Sequence, residues 1–393
     1  MTAIAACAAP PDRARTAFVG AGGGGDTAAA LLRSTLSASS NAVVYGAGYS
    51  AAEYVRGIAR GVAGKGPAAA AFDRLPHAGP PALVNAYLRS LGARGDDGVF
   101  ELTPDATHVD ALFGQLRPDA SLPVAAQPAG FKYATLLDEA AALRALRPAA
   151  PLRMFRSVRD FASPRDVQHA HAALRDDFAR QGVTTAVLVD FGADVFDFGG
   201  VTRRPLQRDK CVLLSLLHLL RAGALSELRI EAYGPGVDAH APLDVVVRQL
   251  EAVAPFAAVL TPQDADPAVE AYVAALRAHA AALEQLSLFA PGRATRNFVE
   301  AYTSLREEGD VSAFVTGFLE QRHDFRSMAA ERQAAFRADT ARALAASPGA
   351  FRRFCEVHVV VLTPVNAAAF VARVCQPEYG ALDALLLSSQ NGA

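Results

Sequence analysis

Thr16-Ala17-Phe18-Val19-Gly20-Ala21-Gly22-Gly23-Gly24-Gly25-Asp26 is the stretch that decides the fold. Its first half, Thr16–Ala21, is a short apolar run with strand character, and it breaks into four consecutive glycines. Beyond them, Thr27–Leu36 carries apolar residues at helical spacing. Asn41–Ala47 (NAVVYGA) is a second strand-like run, ending in the glycine turn Gly46-Ala47-Gly48. Strand, glycine turn, helix, strand is the opening of a parallel α/β sheet.

The same rhythm returns further on. Val183–Val189 (VTTAVLV) is β-branched and nearly continuous, which suits a strand buried on both faces, and it ends at Asp190. A glycine-containing loop leads to a long apolar helix, Asp209–Ala222. Glu227–Tyr233 (ELRIEAY) is the next strand, stopped by Gly234-Pro235-Gly236, and Asp244–Val253 is helical again. Between the two units, Gly61–Pro81 is a Gly/Ala/Pro-rich surface excursion, and Pro80–Leu91 and Leu136–Leu146 read as helices. From Asp266 to Ser347 the pattern changes to helix-like segments at Val269–Leu286, Arg296–Leu305, Val311–Gln321 and Glu331–Ala346. A strand, Glu356–Leu362, and a short helix near Ala381–Leu387 follow. The expected organisation is a frayed tail over 1–15, an α/β core over 16–262, a helical segment or lid over 263–350, and a returning strand with a C-terminal helix over 351–393.

Composition narrows the classes. Of 393 residues, 51% are apolar and 20% charged, a globular balance. The formal charge of −2 and the lack of a basic patch or aromatic-basic motif argue against a nucleic-acid partner. Cys7, Cys211, Cys355 and Cys375 lie far apart without a C-x-x-C pair. They read as reduced thiols, with Cys211 a buried structural one, rather than as zinc ligands. No stretch reaches the roughly 20 apolar residues of a membrane helix, and the N-terminus lacks a signal peptide's basic region, so a cytoplasmic location without membrane contact is expected. Homo-oligomerisation is left open.

Three loops belong by chain position to the carboxyl edge of the sheet, where open α/β sheets bind ligands. In the first, Gly22, Gly23, Gly24 and Gly25 permit close backbone approach. Their amides, with the following helix N-terminus, favour a phosphate or carboxylate. Asp26 repels a bare phosphate and fits instead a helix cap, a sugar-hydroxyl acceptor or a bridging-metal ligand. The formal G-x-G-x-x-G match is weak, since a glycine run meets it easily and no acid ends the second strand. The second loop concentrates Asp190, Asp194 and Asp197, oxygen ligands for Mg²⁺ or Ca²⁺ or an acid–base set, with Arg203 and Arg204 following to pair them or grip an anion. Asp209 joins Asp190 and Asp194 as a candidate metal ligand, although helix capping alone also explains it. In the third loop, Asp238 and His240 are candidates for acid–base work alongside Asp190 and Asp194. His169 and His171 form an H-x-H pair on a helix, where alternate positions diverge and do not share a metal.

With these loops in view the chain resembles the uncharacterised domain-of-unknown-function 1152 family, whose members carry a GGGGD loop, a VDxGGD segment, a PLxDA-like helix start and a GPGxDGE loop. The matching residues are Gly22–Asp26, Val189-Asp190-Phe191-Gly192-Ala193-Asp194, Pro205-Leu206-Gln207-Arg208-Asp209 and Gly234-Pro235-Gly236-Val237-Asp238. Ala193 stands where the family has glycine, one residue is inserted before Asp209, and Ala239-His240 replaces Gly-Glu. The resemblance implies a Rossmann-like, open, mostly parallel sheet with a helical insertion, and a single site built from the three loops. It implies no established activity. Two readings follow. One is an enzyme for a small anionic, phosphorylated or nucleotide-like ligand, with metal-assisted phosphoryl or glycosyl transfer or hydrolysis. The other is a non-catalytic binding or interaction protein on a degenerate enzyme fold.

Overall fold

The computed structural model describes residues 14–22, 24–37, 41–48, 94–96, 99–102, 152–156, 164–198, 208–237, 243–286, 293–308 and 352–387, with isolated helical positions between 330 and 342. The helices expected at Pro80–Leu91, Leu136–Leu146 and Val311–Gln321 lie outside the described residues. The strands are β1 (Arg15–Gly20), β2 (Ala42–Gly48), β3 (Arg94–Asp96), β4 (Val99–Leu102), β5 (Leu152–Arg156), β6 (Val183–Phe191), β7 (Glu227–Tyr233), β8 (Ala257–Leu260) and β9 (Val357–Leu362). They form one sheet in the order β3-β4-β5-β2-β1-β6-β7-β9-β8.

The five strands from β5 to β7 are parallel. Antiparallel pairs close the sheet on either side. This is the expected α/β, Rossmann-like arrangement, with β1 at its centre. The central strands are apolar on both sides because both faces are covered. One face holds α2 (Pro164–Gln181), α3 (Arg208–Arg221) and α4 (Leu243–Val253). There Ala17, Val19, Ala186 and Leu188 meet Leu174, Leu213, Leu216 and Val253 in a continuous core. A helical turn, Ala367–Phe370, runs through a π-helical segment, Val371–Cys375, into α7 (Gln376–Leu387), which packs on α2 and α3. The other face carries α1 (Gly24–Thr35), α5 (Pro267–Leu286) and α6 (Arg293–Glu308), with both later helices packed on α1. The Tyr272 hydroxyl donates to the Ala29 carbonyl of α1 at 2.8 Å, so the described part of the helical segment is tied directly to the core.

Two of the boundaries that differ from the sequence expectation bear on the site. The β6 strand runs on through Asp190 to Phe191, because β7 keeps pairing there, with Asp190 opposite Ala232 and Phe191 opposite Tyr233. Asp190 is therefore a strand residue and does not begin the loop. The α1 helix starts at Gly24, three residues before the expected Thr27, so Gly24, Gly25 and Asp26 form its first turn. No helix among the described residues is long and apolar enough to cross a membrane.

Buried charge ties the layers together. Asp177 on α2 is fully buried and accepts hydrogen bonds from the Tyr45 hydroxyl at 2.9 Å, from Arg153 at 2.7 and 2.8 Å, and from Arg180 at 2.9 Å. On the opposite face, Glu231 of β7 accepts from Arg33 of α1 at 3.0 and 3.2 Å, from Arg229 at 2.6 Å and from the Tyr233 hydroxyl at 2.7 Å. Burial opposes the ionisation of each acid, but the arginine hydrogen bonds and charges hold both below the ordinary carboxylate range. Their stabilisation is thus present above the unfolded carboxyl pKa and lost as pH falls through the folded one. Asp177→Asn keeps the shape but leaves Arg153 short of its counter-charge. It is expected to lower the unfolding free energy by about 3 kcal/mol in chemical denaturation. A variant as stable as the parent would show that this network holds nothing together.

Candidate functional site

β2 and β6 lie on opposite sides of β1, so the strand order switches at β1, whose carboxyl edge is where open α/β sheets bind ligands. Gly20 ends β1 there. A Cβ on it would stand 2.6 Å from the Thr27 nitrogen and 2.7 Å from the Thr27 Cα, so only glycine lets α1 begin so close to the strand. At Gly22, a Cβ would meet Asp209 Oδ1 at 2.7 Å and Asp26 Oδ2 closer still. The acid of the first turn of α1 and the acid of the first turn of α3 therefore share one small space over the glycine backbone.

Backbone hydrogen bonds link all three loops. The Ala21 amide donates to the Val189 carbonyl at 2.9 Å, the Gly192 amide to Tyr233 at 3.0 Å, and the Gly236 amide to Gly192 at 2.7 Å. Positive φ angles at Gly192 (111°), Ala193 (64°), Gly234 (57°) and Gly236 (89°) turn these loops tightly enough to meet. The α6 helix closes over the third: Asn297 donates to the Val237 carbonyl at 2.9 Å, and a Cβ on Gly234 would stand 2.9 Å from the Phe298 ring. Phe298 also meets Phe191 and Tyr233 edge-on, which fixes α6 to the ends of β6 and β7.

The acids of the second loop go different ways. Asp190 is fully buried, and strand alternation puts it on the α3 side with Ala186 and Leu188. Asp194 is buried in the single turn Asp194–Phe196. Asp197 pairs with Lys210 of α3 at 3.0 Å and accepts from Gln249 of α4 at 2.5 Å, all three buried. It is a strut between loop and helices. Among the described residues no three His, Cys, Asp or Glu side chains are placed to hold one metal ion, so Asp190, Asp194 and Asp209 are not assembled as a three-carboxylate cage. What does converge is the pair Asp26 and Asp209. Gly24 and Gly25 lie in the first turn of α1, whereas Gly23, Arg203, Arg204, Asp238 and His240 lie outside the described residues.

Lys210, Gln249 and Asn297 support the loops and were not singled out from sequence. Lys210 carried the one available signal, a lysine following an acid at a helix start in a chain with few lysines. A separate cleft of about 360 Å³ lies between α5 and α6, lined by Glu270, Arg277, Tyr302, Arg306 and Glu307. Its charges are paired with one another, Arg277 with Glu307 at 3.3 Å and Arg306 with Glu270 at 3.6 Å, and it does not reach the loops.

Two substitutions test this geometry. Ala193 sits in the left-handed region, which costs a residue with a Cβ roughly 1 kcal/mol, so Ala193→Gly should raise stability by up to about that amount. Gly22→Ala should lower it by about 1–3 kcal/mol, as the methyl group drives Asp26 and Asp209 apart. Thermal and urea unfolding read both, and a loss of stability in Ala193→Gly or a gain in Gly22→Ala would contradict the loop structure. No family model, curated protein or solved structure matches this chain, so its function is argued from the site itself.

Proposed function

We propose that this chain is an enzyme acting on a small phosphorylated or nucleotide-like molecule held over Gly22, with a divalent cation between the acids and the phosphate. One observation carries the reading: Asp26 and Asp209 meet above glycine backbone at the N-terminus of α1. Free amides at a helix N-terminus attract an anion, while two carboxylates beside them repel it. A cation-bridged phosphate satisfies both, and so do sugar hydroxyls accepted by the carboxylates. Mg²⁺ and Ca²⁺ suit such a set, because oxygen ligands from two acids leave positions for phosphate oxygens and water.

In this reading Asp26 and Asp209 hold the cation, and the amides of Gly24 and Gly25 meet the anion. Asp190 and Asp194 set the field at the base of the site. Asp238 and His240 supply acid–base groups, and Arg203 and Arg204 contact the anion. Phosphoryl or glycosyl transfer, or hydrolysis, fits these parts, since such chemistry rests on positioning and charge. The resemblance noted in the sequence supports treating the loops as one site.

Thermal unfolding with nucleotides and sugar phosphates, each with and without Mg²⁺ or Ca²⁺, tests the proposal. A ligand at about 100 times its Kd stabilises by roughly 2.7 kcal/mol, a shift of a few degrees. The expected result is a shift that needs both cation and phosphate, with the cation-dependent part lost in Asp209→Asn. A flat response from the parent protein across the panel would sink the reading. Binding without any product would favour the non-catalytic alternative that Ala239-His240 motivates.

A further inference from the structure

His171, buried, and His218, half-buried, form a pair that the proposed site does not use. His171 lies on α2, 6% exposed, and its ring meets that of His218 on α3 edge-on, with centroids 4.7 Å apart and planes at 87°. His218 Nε2 lies 3.3 Å from Asp383 Oδ1 on α7, and Tyr379 of α7 stacks beyond it with centroids 6.5 Å apart. The Arg221 guanidinium of α3 lies 4.9 Å over the Tyr379 ring. Gln168 of α2 donates to the Leu385 carbonyl at 2.5 Å. The two imidazoles thus stand at the seam where α7 closes on α2 and α3. Both Nδ1 atoms are buried without a hydrogen-bond partner among the described residues. Just before α7, the π-helical segment Val371–Cys375 interrupts the α-helical ladder, a feature common at functional sites.

We propose that α7 is an acid-released strap, docked while the His171–His218 pair carries at most one proton and freed when both rings are charged. The first proton is tolerated on His218, where the Asp383 carboxylate faces it. A second on His171 sets two imidazolium rings 4.7 Å apart, with the His171 ring buried. The groups facing the pair are Arg175 on α2, Arg221 on α3, and Asp383 and Tyr379 on α7, with Cys375 beside Tyr379. Both arginines oppose a second positive charge, and Asp383 serves His218. Undocking α7 lets water reach both rings.

The sign follows from linkage. Burial, then His218 and Arg175, push His171 down to about 4. Burial also lowers His218 in spite of Asp383. A histidine that resists its proton when docked favours docking fully above its free pKa, and the preference fades as pH falls from about 6.5 towards 4. Asp177 and Glu231 are held below their ordinary carboxylate values by their arginine partners, so acid reaches their networks only after α7 has begun to respond. Freed, α7 withdraws Tyr379, Leu382 and Leu386 from the core that also holds α3, whose first turn carries Asp209.

Hydrogen exchange read by mass spectrometry, corrected for intrinsic exchange, tests the strap on the full chain between pH 7.5 and 5. Protection of 376–387 should fall roughly tenfold by pH 5.5 while β6 keeps its own. His171→Leu should remove most of that fall, leaving the smaller part contributed by His218. Equal acid sensitivity in His171→Leu, or no loss of α7 protection in the parent, overturns the proposal. NMR titration of the parent protein keeps the test decisive if His171→Leu does not fold: His171 should resist protonation below pH 6, and titration at the ordinary histidine value counts against the strap.

Discussion

The main chain of Gly20 lies almost against that of Thr27, leaving no room for a side chain on the glycine. That close approach sets where α1 starts and places its first turn at the end of the central strand. The turn brings Asp26 above Gly22, and α3 brings Asp209 to the same point from across the switch in strand order. A bulkier residue at Gly20 has nothing flexible to push aside, because what it meets is backbone. The geometry of this edge therefore starts with an absent atom.

Around this edge the molecule uses buried charge as fastening. Asp177 collects two arginines and a tyrosine where β2, β5 and α2 meet, and Glu231 collects Arg33, Arg229 and Tyr233 between α1 and β7. Lys210, Asp197 and Gln249 bind the second loop to two helices. A carboxylate withdrawn from water is stable only with such partners. Each network joins elements far apart in sequence, which makes helix placement depend on geometry as well as on apolar contact. The acids of the second loop divide accordingly, Asp197 bracing the loop while Asp190 lies deep beneath it.

Much of the parallel core was legible in the residues. Val183–Val189 reads as a buried strand because β-branched residues suit a sheet covered on both faces, and Glu227–Tyr233 matched its strand end to end. The strands β3, β4, β5 and β8 were not foreseen. They are short, and all four take part in antiparallel pairs towards the sheet margins, so their local sequence carries little of the signal. The end of β6 was misjudged by two residues, since a ladder continues wherever its neighbour continues, whatever the polarity of Asp190. For the site, the glycine loop and Asp209 were legible as candidates. The pairing of Asp209 with Asp26 was not, because those residues are separated by most of the sheet's central crossing. Nor could an H-x-H pair on α2 announce a partner on α3.

By itself, the sequence determined the alternation of strand and helix, the glycines that end β1 and β7, and a near-balanced net charge of −2. These are local matters of periodicity, backbone freedom and charge. Only the tertiary structure decided which acids meet, which are neutralised by Lys210 or arginine, and which imidazoles meet edge to face. Such encounters depend on strand order and helix packing, where a few ångströms of displacement separate a binding partner from a bystander.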